Sequence, residues 1–172
     1  MESRFSAMGS RGFHIFLFWV IVILVVVVDQ STKAAAIEVI GDGGRVLIPG
    51  IMNLIHVENT GAAFSIGQGG NVLFVIVAIL FLIGSCLLVW REDDLPLGVV
   101  VSVALITGGG LGNMIDRLMN GSVTDFLATA FIDFPVFNFA DICVTVGVTF
   151  AIIGYWWWDS KRTKALTNEV VD

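Results

Sequence analysis

The chain has 172 residues, of which 56% are apolar and only 14% are charged, and its formal net charge is −6. Soluble domains carry about 25% charged residues, so much of this surface is expected to face lipid. The chain has no basic stripe interleaved with aromatic residues, which argues against nucleic-acid binding, and its length suits one integral membrane domain over residues 1–172.

Four apolar segments are long enough to cross a bilayer, which takes about 20 residues. The predicted spans cover about 13–36, 72–90, 97–115 and 139–158. Between the first two spans, residues 41–66 predict a small β-element with a glycine turn and two strand-like stretches. The fold class is therefore a mainly α membrane protein with four transmembrane helices and a small extracytoplasmic β-element.

Basic residues predict how these spans are oriented. One side of a four-span protein would hold six of them, namely Arg4, Arg11, Arg91, Lys161, Arg162 and Lys164. The other side would hold only Lys33, Arg45 and Arg117. The positive-inside rule then puts both termini in the cytoplasm and the connections 37–71 and 116–141 on the outer face of the membrane.

The first span could also be interpreted as a cleavable signal peptide, because alanines at 34–36 mimic a cleavage site. Asp29, Gln30 and Lys33 interrupt the transition expected there, and three further spans follow. We therefore interpret this segment as a transmembrane helix.

Five polar phrases lie near the outer ends of the predicted spans. They are Asp29-Gln30-Ser31-Thr32-Lys33, Asn59-Thr60-Gly61-Ala62-Ala63-Phe64, Gly112-Asn113-Met114-Ile115-Asp116-Arg117, Val123-Thr124-Asp125-Phe126 and Phe137-Asn138-Phe139-Ala140-Asp141. An ionisable group at the edge of the bilayer core is costly, so each is a functional candidate. Packing alone does not explain why all five converge at one depth.

Some of these polar residues also have structural interpretations. Asp29 and Lys33 are spaced i, i+4 and predict an ion pair that locks the first span against the bundle. Arg117 would pair with Asp116, brace the outer loops, or contact a lipid head group or a substrate carbonyl. Asn59 would belong to a plain turn or hold a substrate backbone.

Glycines at 108–110 and 112 end the third span and predict close packing between helices. They do not form a phosphate-binding loop, because no Gly-Lys-Ser/Thr sequence follows them. A second glycine-rich stretch at 67–71 is predicted to let the outer element move over a site.

Two carboxylates, Asp125 and Asp141, have no cluster of metal ligands nearby and point to acid–base chemistry by the pair itself. Asn138 is three residues before Asp141 and shares its helical face. The structural alternatives are a loop carboxylate at Asp125 and a helix-terminal acid at Asp141. His14 and His56 lack partners at ligand spacing, so no metal ion and no other cofactor is predicted.

Together, the five phrases resemble the motif set of bacterial lipoprotein signal peptidase (signal peptidase II), in that family's order and over nearly the whole chain. The resemblance implies an aspartic endopeptidase whose catalytic dyad is Asp125 and Asp141. It implies supporting or substrate-binding roles for Asp29, Lys33, Asn59, Gly61, Asn113, Arg117 and Asn138. The implied partners are membrane lipid, inhibitors of the globomycin type, and lipidated prolipoproteins that are cut just before the diacylglyceryl cysteine.

Three other functions compete with this one. A presenilin-type protease would carry a Gly-x-Gly-Asp phrase, which is missing because Asp116 follows Met114 and Ile115. A lipid-head-group transferase would need carboxylates grouped around a metal, whereas Asp125 and Asp141 are isolated from other ligands. A proton-coupled transporter or a membrane adaptor explains acidic residues at span ends, but not their clustering on one side.

Overall fold

A computed structural model of the protein describes the backbone of residues 2–61, 71–92 and 95–171. Side chains are described for residues 11–41, 43–61, 71–92 and 95–156. The prediction of a moving glycine-rich stretch at 67–71 falls outside these ranges except for Asn71. The side chains of Arg4, Lys161, Arg162 and Lys164, which entered the orientation prediction, also lie outside the described residues.

Four helices form the body of the protein. They are α1 (Glu2–Ile40), α2 (Asn71–Arg91), α3 (Leu97–Asn120) and α4 (Phe139–Val171). Each contains a segment long and apolar enough to cross a membrane. Most of their described apolar side chains point outward, and along α2 only Ser85 and Val89 are buried. A helix with apolar residues all round suits a lipid environment, which confirms the prediction of a multi-pass membrane protein.

The third helix extends beyond its predicted end at residue 115 and stops at Asn120. Its last turns carry charged residues that find partners on other elements, so the helix continues past the apolar stretch. Gly121 ends it in the left-handed conformation, with φ of 75°, and donates its N–H to the Arg117 carbonyl. This is a common glycine cap at a helix C-terminus.

A three-stranded antiparallel sheet adjoins one end of the bundle, which we call the sheet end. Its order is β1 (Arg45–Ile48), β2 (Met52–Asn59) and β3 (Val123–Thr129). The first two strands confirm the predicted β-element. The predicted element did not include β3, which comes from the α3–α4 connection, and its predicted end near residue 66 lies outside the described residues. Asp125 therefore lies on a buried strand, and its interpretation as an ordinary loop carboxylate is wrong.

Glycines bring α3 against its two neighbouring helices. A Cβ on Gly108 would lie 2.7 Å from the Val25 Cβ of α1, and a Cβ on Gly109 would lie 2.5 Å from the Ala140 carbonyl oxygen of α4. On α4, a Cβ at Gly147 would come 2.8 Å from the Ser102 carbonyl oxygen. The predicted role in close helix packing is confirmed for Gly108 and Gly109, where a larger residue would force a shift. It is wrong for Gly110, where a Cβ would meet nothing within 4 Å, and Gly147 was not predicted.

Candidate active site

A cleft of about 470 Å³ opens where β2 and β3 meet the sheet ends of α3 and α4. Both predicted catalytic aspartates, Asp125 and Asp141, line it. The remaining lining residues are Asn59, Gly61, Asn113, Arg117, Val123, Phe134, Pro135, Val136, Phe137, Ile142, Val144, Thr145 and Val146. The cleft therefore combines a small polar floor with largely apolar walls, as ligand sites commonly do.

Asp125 is held on β3 with only 2% of its surface exposed. The Nδ2 of Asn59 donates to its Oδ2 over 3.0 Å, and the Nδ2 of Asn138 donates to its Oδ1 over 2.6 Å. Val123 pairs with Asn59 in the sheet, which puts Asn59 diagonally across from Asp125 on the same face. Burial raises the pKa of Asp125 to about 6, although the Asn59 hydrogen bond opposes the shift.

Asp141 lies in the first turn of α4, and a reciprocal cap fixes its orientation. The Asn138 backbone N–H donates to Asp141 Oδ2 over 3.1 Å, while the Asp141 N–H donates to Asn138 Oδ1 over 3.0 Å. This is the geometry of a capping box, in which a carboxylate three residues into the helix reaches back to the N-cap. The predicted helix-terminal setting of Asp141 is confirmed.

Asn138 links the two aspartates. Its side-chain Nδ2 donates to Asp125 Oδ1, and its backbone N–H donates to Asp141 Oδ2. Its position depends on Phe137, which exchanges backbone hydrogen bonds with Leu127 of β3 over 2.8 and 3.0 Å. This short bridge brings the start of α4 alongside Asp125. Two carboxylates that are 16 residues apart in sequence thus face one cleft, and both accept hydrogen bonds from the same residue, Asn138.

Asn113 of α3 completes this polar floor. Its Nδ2 donates to Asp141 Oδ1 over 2.8 Å, and its Oδ1 accepts from Asn138 Nδ2 over 3.0 Å and from Lys33 Nζ over 2.9 Å. The amide therefore links the Asp141 carboxylate to a charged cluster deeper in the bundle.

That deeper cluster contains one cation between two carboxylates. Lys33 Nζ lies 2.9 Å from Asp29 Oδ2 and 2.9 Å from Asp116 Oδ2, and all three residues are at least 96% buried. Gln30 donates to Asp116 Oδ1 over 3.0 Å and to Asp29 Oδ2 over 3.2 Å. The predicted Asp29–Lys33 pair is confirmed. Lys33 also ties α1 to α3, because it bonds to Asp116 and Asn113.

Asp29 and Asp116 also anchor the two elements that carry the predicted catalytic aspartates. Asp29 Oδ1 accepts from the Ala140 N–H of α4 over 3.0 Å, and Asp116 Oδ2 accepts from the Thr124 N–H of β3 over 3.1 Å. Each of these N–H groups belongs to the residue just before a dyad aspartate. The absence of a side chain at Gly112 leaves the space that Asp29 occupies.

Arg117 forms no ion pair with Asp116, the partner predicted for it within the protein. Its Nη2 donates to the Gly61 carbonyl over 2.9 Å, and its guanidinium lies 4.8 Å above the Phe74 ring. The interpretation that it pairs with Asp116 is wrong, because Asp116 pairs with Lys33. The bracing interpretation is confirmed, since Gly61 belongs to the connection after β2. The Nε of Arg117 is buried without a hydrogen-bond partner among the described residues.

Hydrogen bonds and ion pairs connect all nine predicted site residues into one network. Sequence reasoning missed or misassigned three further residues that contact members of this network. Gln30 was quoted inside a phrase but had no assigned role, Asp116 was assigned to the wrong partner, and Phe74 gave no signal because it lies within an apolar span. The Asn-x-x-Asp spacing of Asn138 and Asp141 was a detectable capping signal. Among the described residues, no group of three or more His, Cys, Asp or Glu side chains is arranged to hold a metal ion.

Comparisons with known proteins agree with this architecture. Residues 21–157 match the family model for signal peptidase (SPase) II. The chain is 43% identical over 132 residues to the lipoprotein signal peptidase of Symbiobacterium thermophilum, covering 75% of this chain and 87% of the relative. It is 39% identical over 139 residues to that of Lactiplantibacillus plantarum, covering 80% of this chain and 93% of the relative.

Two solved structures, each described as a bacterial membrane enzyme determined by the in meso method, share the fold. The first has a TM-score of 0.79 at 35% identity and covers 86% of this chain and 92% of its own. The second has a TM-score of 0.73 at 36% identity and covers 82% of this chain and 93% of its own. The resemblance drawn from the five polar phrases is confirmed: the chain belongs to the signal peptidase II family.

Proposed function

We propose that this protein is an aspartic endopeptidase that removes signal peptides from diacylglyceryl-modified prolipoproteins by cutting before the lipidated cysteine. The observation that carries the proposal is the position of Asp125 and Asp141 in one cleft, where both bond to Asn138. The names of the relatives support the substrate class, since they are lipoprotein signal peptidases. The family assignment supports a proteolytic reaction.

The chemistry follows from two neighbouring carboxylates that cannot both ionise cheaply, so one retains a proton. The ionised carboxylate takes a proton from water as that water attacks the scissile carbonyl carbon. The protonated carboxyl donates its proton to the carbonyl oxygen. The roles then reverse as the C–N bond breaks and the amine leaves with a proton.

We assign the shared proton of the pair to Asp125. Asp125 is almost fully buried, which favours its neutral form. Asp125 would then donate to the carbonyl oxygen, and Asp141, which lies at the start of α4 and lines the cleft, would activate the water.

Substrate recognition would involve both the apolar walls and the guanidinium of Arg117. Phe134, Val136 and Ile142 line the cleft and suit a hydrophobic signal peptide. Burying acyl chains contributes about 0.8 kcal/mol per CH₂, but bulk lipid offers the same gain. Discrimination for the diacylglyceryl group must therefore come from polar contacts, and the unpartnered Nε of Arg117 is available to donate to a substrate carbonyl oxygen.

The membrane orientation is part of the proposal. The sheet end carries the cleft, and it is the end opposite Arg11 and Arg91. By the positive-inside rule the cleft faces the outer side of the cytoplasmic membrane, with both termini in the cytoplasm. Exported precursors would reach the cleft from that side.

The substrate assignment is tested with one precursor in two forms. Purified protein in detergent should cleave the diacylglyceryl-modified precursor, as seen by a gel shift, and mass spectrometry should find the lipidated cysteine at the new N-terminus. The same precursor without the diacylglyceryl group should remain uncut. Equal cleavage of both forms, or cleavage at another bond, would contradict the proposed specificity.

The buried position of Asp125 gives a pH prediction with defined signs. Its carboxyl should titrate with a midpoint of about 6, since burial raises its pKa. Asn59→Ala should raise the midpoint, because it removes a hydrogen bond that stabilises the ionised form. Asp141→Asn should lower it, because a neighbouring negative charge disappears.

Infrared difference spectra of the protonated carboxyl band measure this titration directly. The band that titrates near this midpoint should disappear in Asp125→Asn, which identifies it. Asp133→Asn is the matched control, because Asp133 is exposed and lies on the same connection between α3 and α4. Shifts opposite to those expected for Asn59→Ala and Asp141→Asn would rule out this account of the dyad.

A further inference from the structure

The ammonium group of Lys33 has one acceptor for each of its three protons. Two acceptors are the carboxylates of Asp29 and Asp116, and the third is the neutral amide oxygen of Asn113, each at 2.9 Å. Only 3% of Lys33 is exposed. The third contact satisfies the last ammonium proton, and its acceptor is a neutral amide that also contacts Asp141.

The contacts of Asn113 define which way its amide faces. Its oxygen receives N–H donors from Lys33 and Asn138, and its nitrogen donates to Asp141 Oδ1. Turning the amide over would point its N–H donors at the Lys33 ammonium and its oxygen at the Asp141 carboxylate. Both contacts would then be repulsive, because lysine offers only donors and an ionised carboxylate only acceptors.

The same network extends to the other carboxylate. With Asn113 Oδ1 held by Lys33, Asn138 Nδ2 can donate to both Asn113 Oδ1 and Asp125 Oδ1. Both aspartates thus receive N–H donors from amides whose orientation is linked to one cation. The bond from Lys33 polarises the Asn113 amide, which strengthens its donation to Asp141.

We propose that Lys33 is a positioning residue of the dyad: it fixes the orientation of the Asn113 amide, so that Asn113 donates to Asp141 and Asn138 remains free to donate to Asp125. The inference rests on the proposed function and assigns Lys33 no contact with substrate. A purely structural salt bridge would stabilise the fold without governing the orientation of the Asn113 amide. The two roles predict different responses to mutation.

A double-mutant cycle separates them. Lys33→Met removes the charge and keeps the length of the side chain, and Asn113→Leu removes the amide through which Lys33 would act. Each single substitution should lower kcat on the order of 100-fold with little change in KM, because a reacting group is misplaced while substrate binding is kept. The double variant should be no slower than the slower single variant, because both changes break the same link.

A control comes from a buried hydrogen bond elsewhere in the bundle. Thr107→Val removes the 3.1 Å hydrogen bond between the Thr107 hydroxyl of α3 and the Ser85 hydroxyl of α2, which is outside the network around the two aspartates. It should lower the melting temperature and leave kcat near the wild-type value. If Lys33→Met leaves too little folded protein, the cycle is run with Lys33→Met/Asp116→Asn, which removes one positive and one negative charge together. Asp116→Asn alone then serves as its reference.

The outcomes are distinct from a failure of the proposed function. If wild-type protein does not cleave the lipidated precursor, the function itself fails. If wild-type protein cleaves and Asp125→Asn does not, the dyad stands and the cycle decides the role of Lys33. The positioning role would be overturned if the kcat of the double variant fell by the product of the two single-variant factors. It would also be overturned if Lys33→Met kept the wild-type kcat. Losses that do not multiply support it.

Discussion

Asp125→Asn and Asp141→Asn should each reduce the rate of precursor cleavage by at least about 10³-fold, because each removes one proton-transfer role. Neither change alters side-chain size, so the protein should remain folded. Each does leave one amide N–H facing another donor, since both oxygens of each aspartate accept hydrogen bonds. Melting temperature in detergent should therefore be measured alongside the rate.

Asp133→Asn is again the matched control and should cleave at the wild-type rate, because Asp133 is exposed and outside the cleft. Addition of EDTA should leave wild-type cleavage unchanged if the two carboxylates perform the chemistry themselves. Retained cleavage in both aspartate variants, or loss of cleavage with EDTA, would remove the aspartic mechanism.

Gly112→Ala should impair both stability and catalysis. The added Cβ would contact Asp29 Oδ2 and lie 3.0 Å from Asp29 Cγ, so the Asp29 carboxylate must move. Such overpacking costs about 1–3 kcal/mol. Movement of Asp29 breaks its bond to the Ala140 N–H, which helps to hold the first turn of α4 and therefore Asp141. We expect a loss of activity on the order of 100-fold, as for other small displacements of a reacting group.

Gly110→Ala tests whether this effect is specific. Gly110 lies two residues earlier on α3, and a Cβ there would meet nothing within 4 Å. Alanine also has a higher helix propensity than glycine, so this variant should melt at the wild-type temperature or slightly above it and retain activity. If Gly112→Ala behaves like Gly110→Ala, the packing of Asp29 against α3 does not govern the position of the dyad.

The four membrane helices were predictable because their signal is local. Residues 72–90 form a nearly continuous apolar run, and a bilayer requires such a run whatever the rest of the chain does. The exact ends were less predictable. The helix α3 continues to Asn120 because Asp116 and Arg117 have partners on other elements, and a hydropathy pattern contains no information about those partners.

The third strand was missed for a related reason. Residues 123–129 are short and contain an acid, so their pattern alone does not indicate a strand. They form β3 because the edge of β2 supplies hydrogen-bonding partners and because the ends of the helices bury the strand's side chains. Pairing between segments more than 60 residues apart depends on the fold of the whole bundle. The sequence therefore identified Asp125 as a candidate catalytic residue but did not predict that it is buried on a strand.

The sequence by itself pointed to the nine candidate site residues, because each polar phrase lies beside a membrane span, where an unpartnered charge is costly. It also determined the i, i+4 spacing that pairs Asp29 with Lys33. Only the tertiary structure decided that Lys33 bonds to Asn113, that Asp116 serves Lys33 and Thr124 and not Arg117, and that Asn138 joins the two aspartates. These contacts depend on where three helices and a strand cross, and crossing points are governed by packing at residues such as Gly109 and Gly112, not by local pattern.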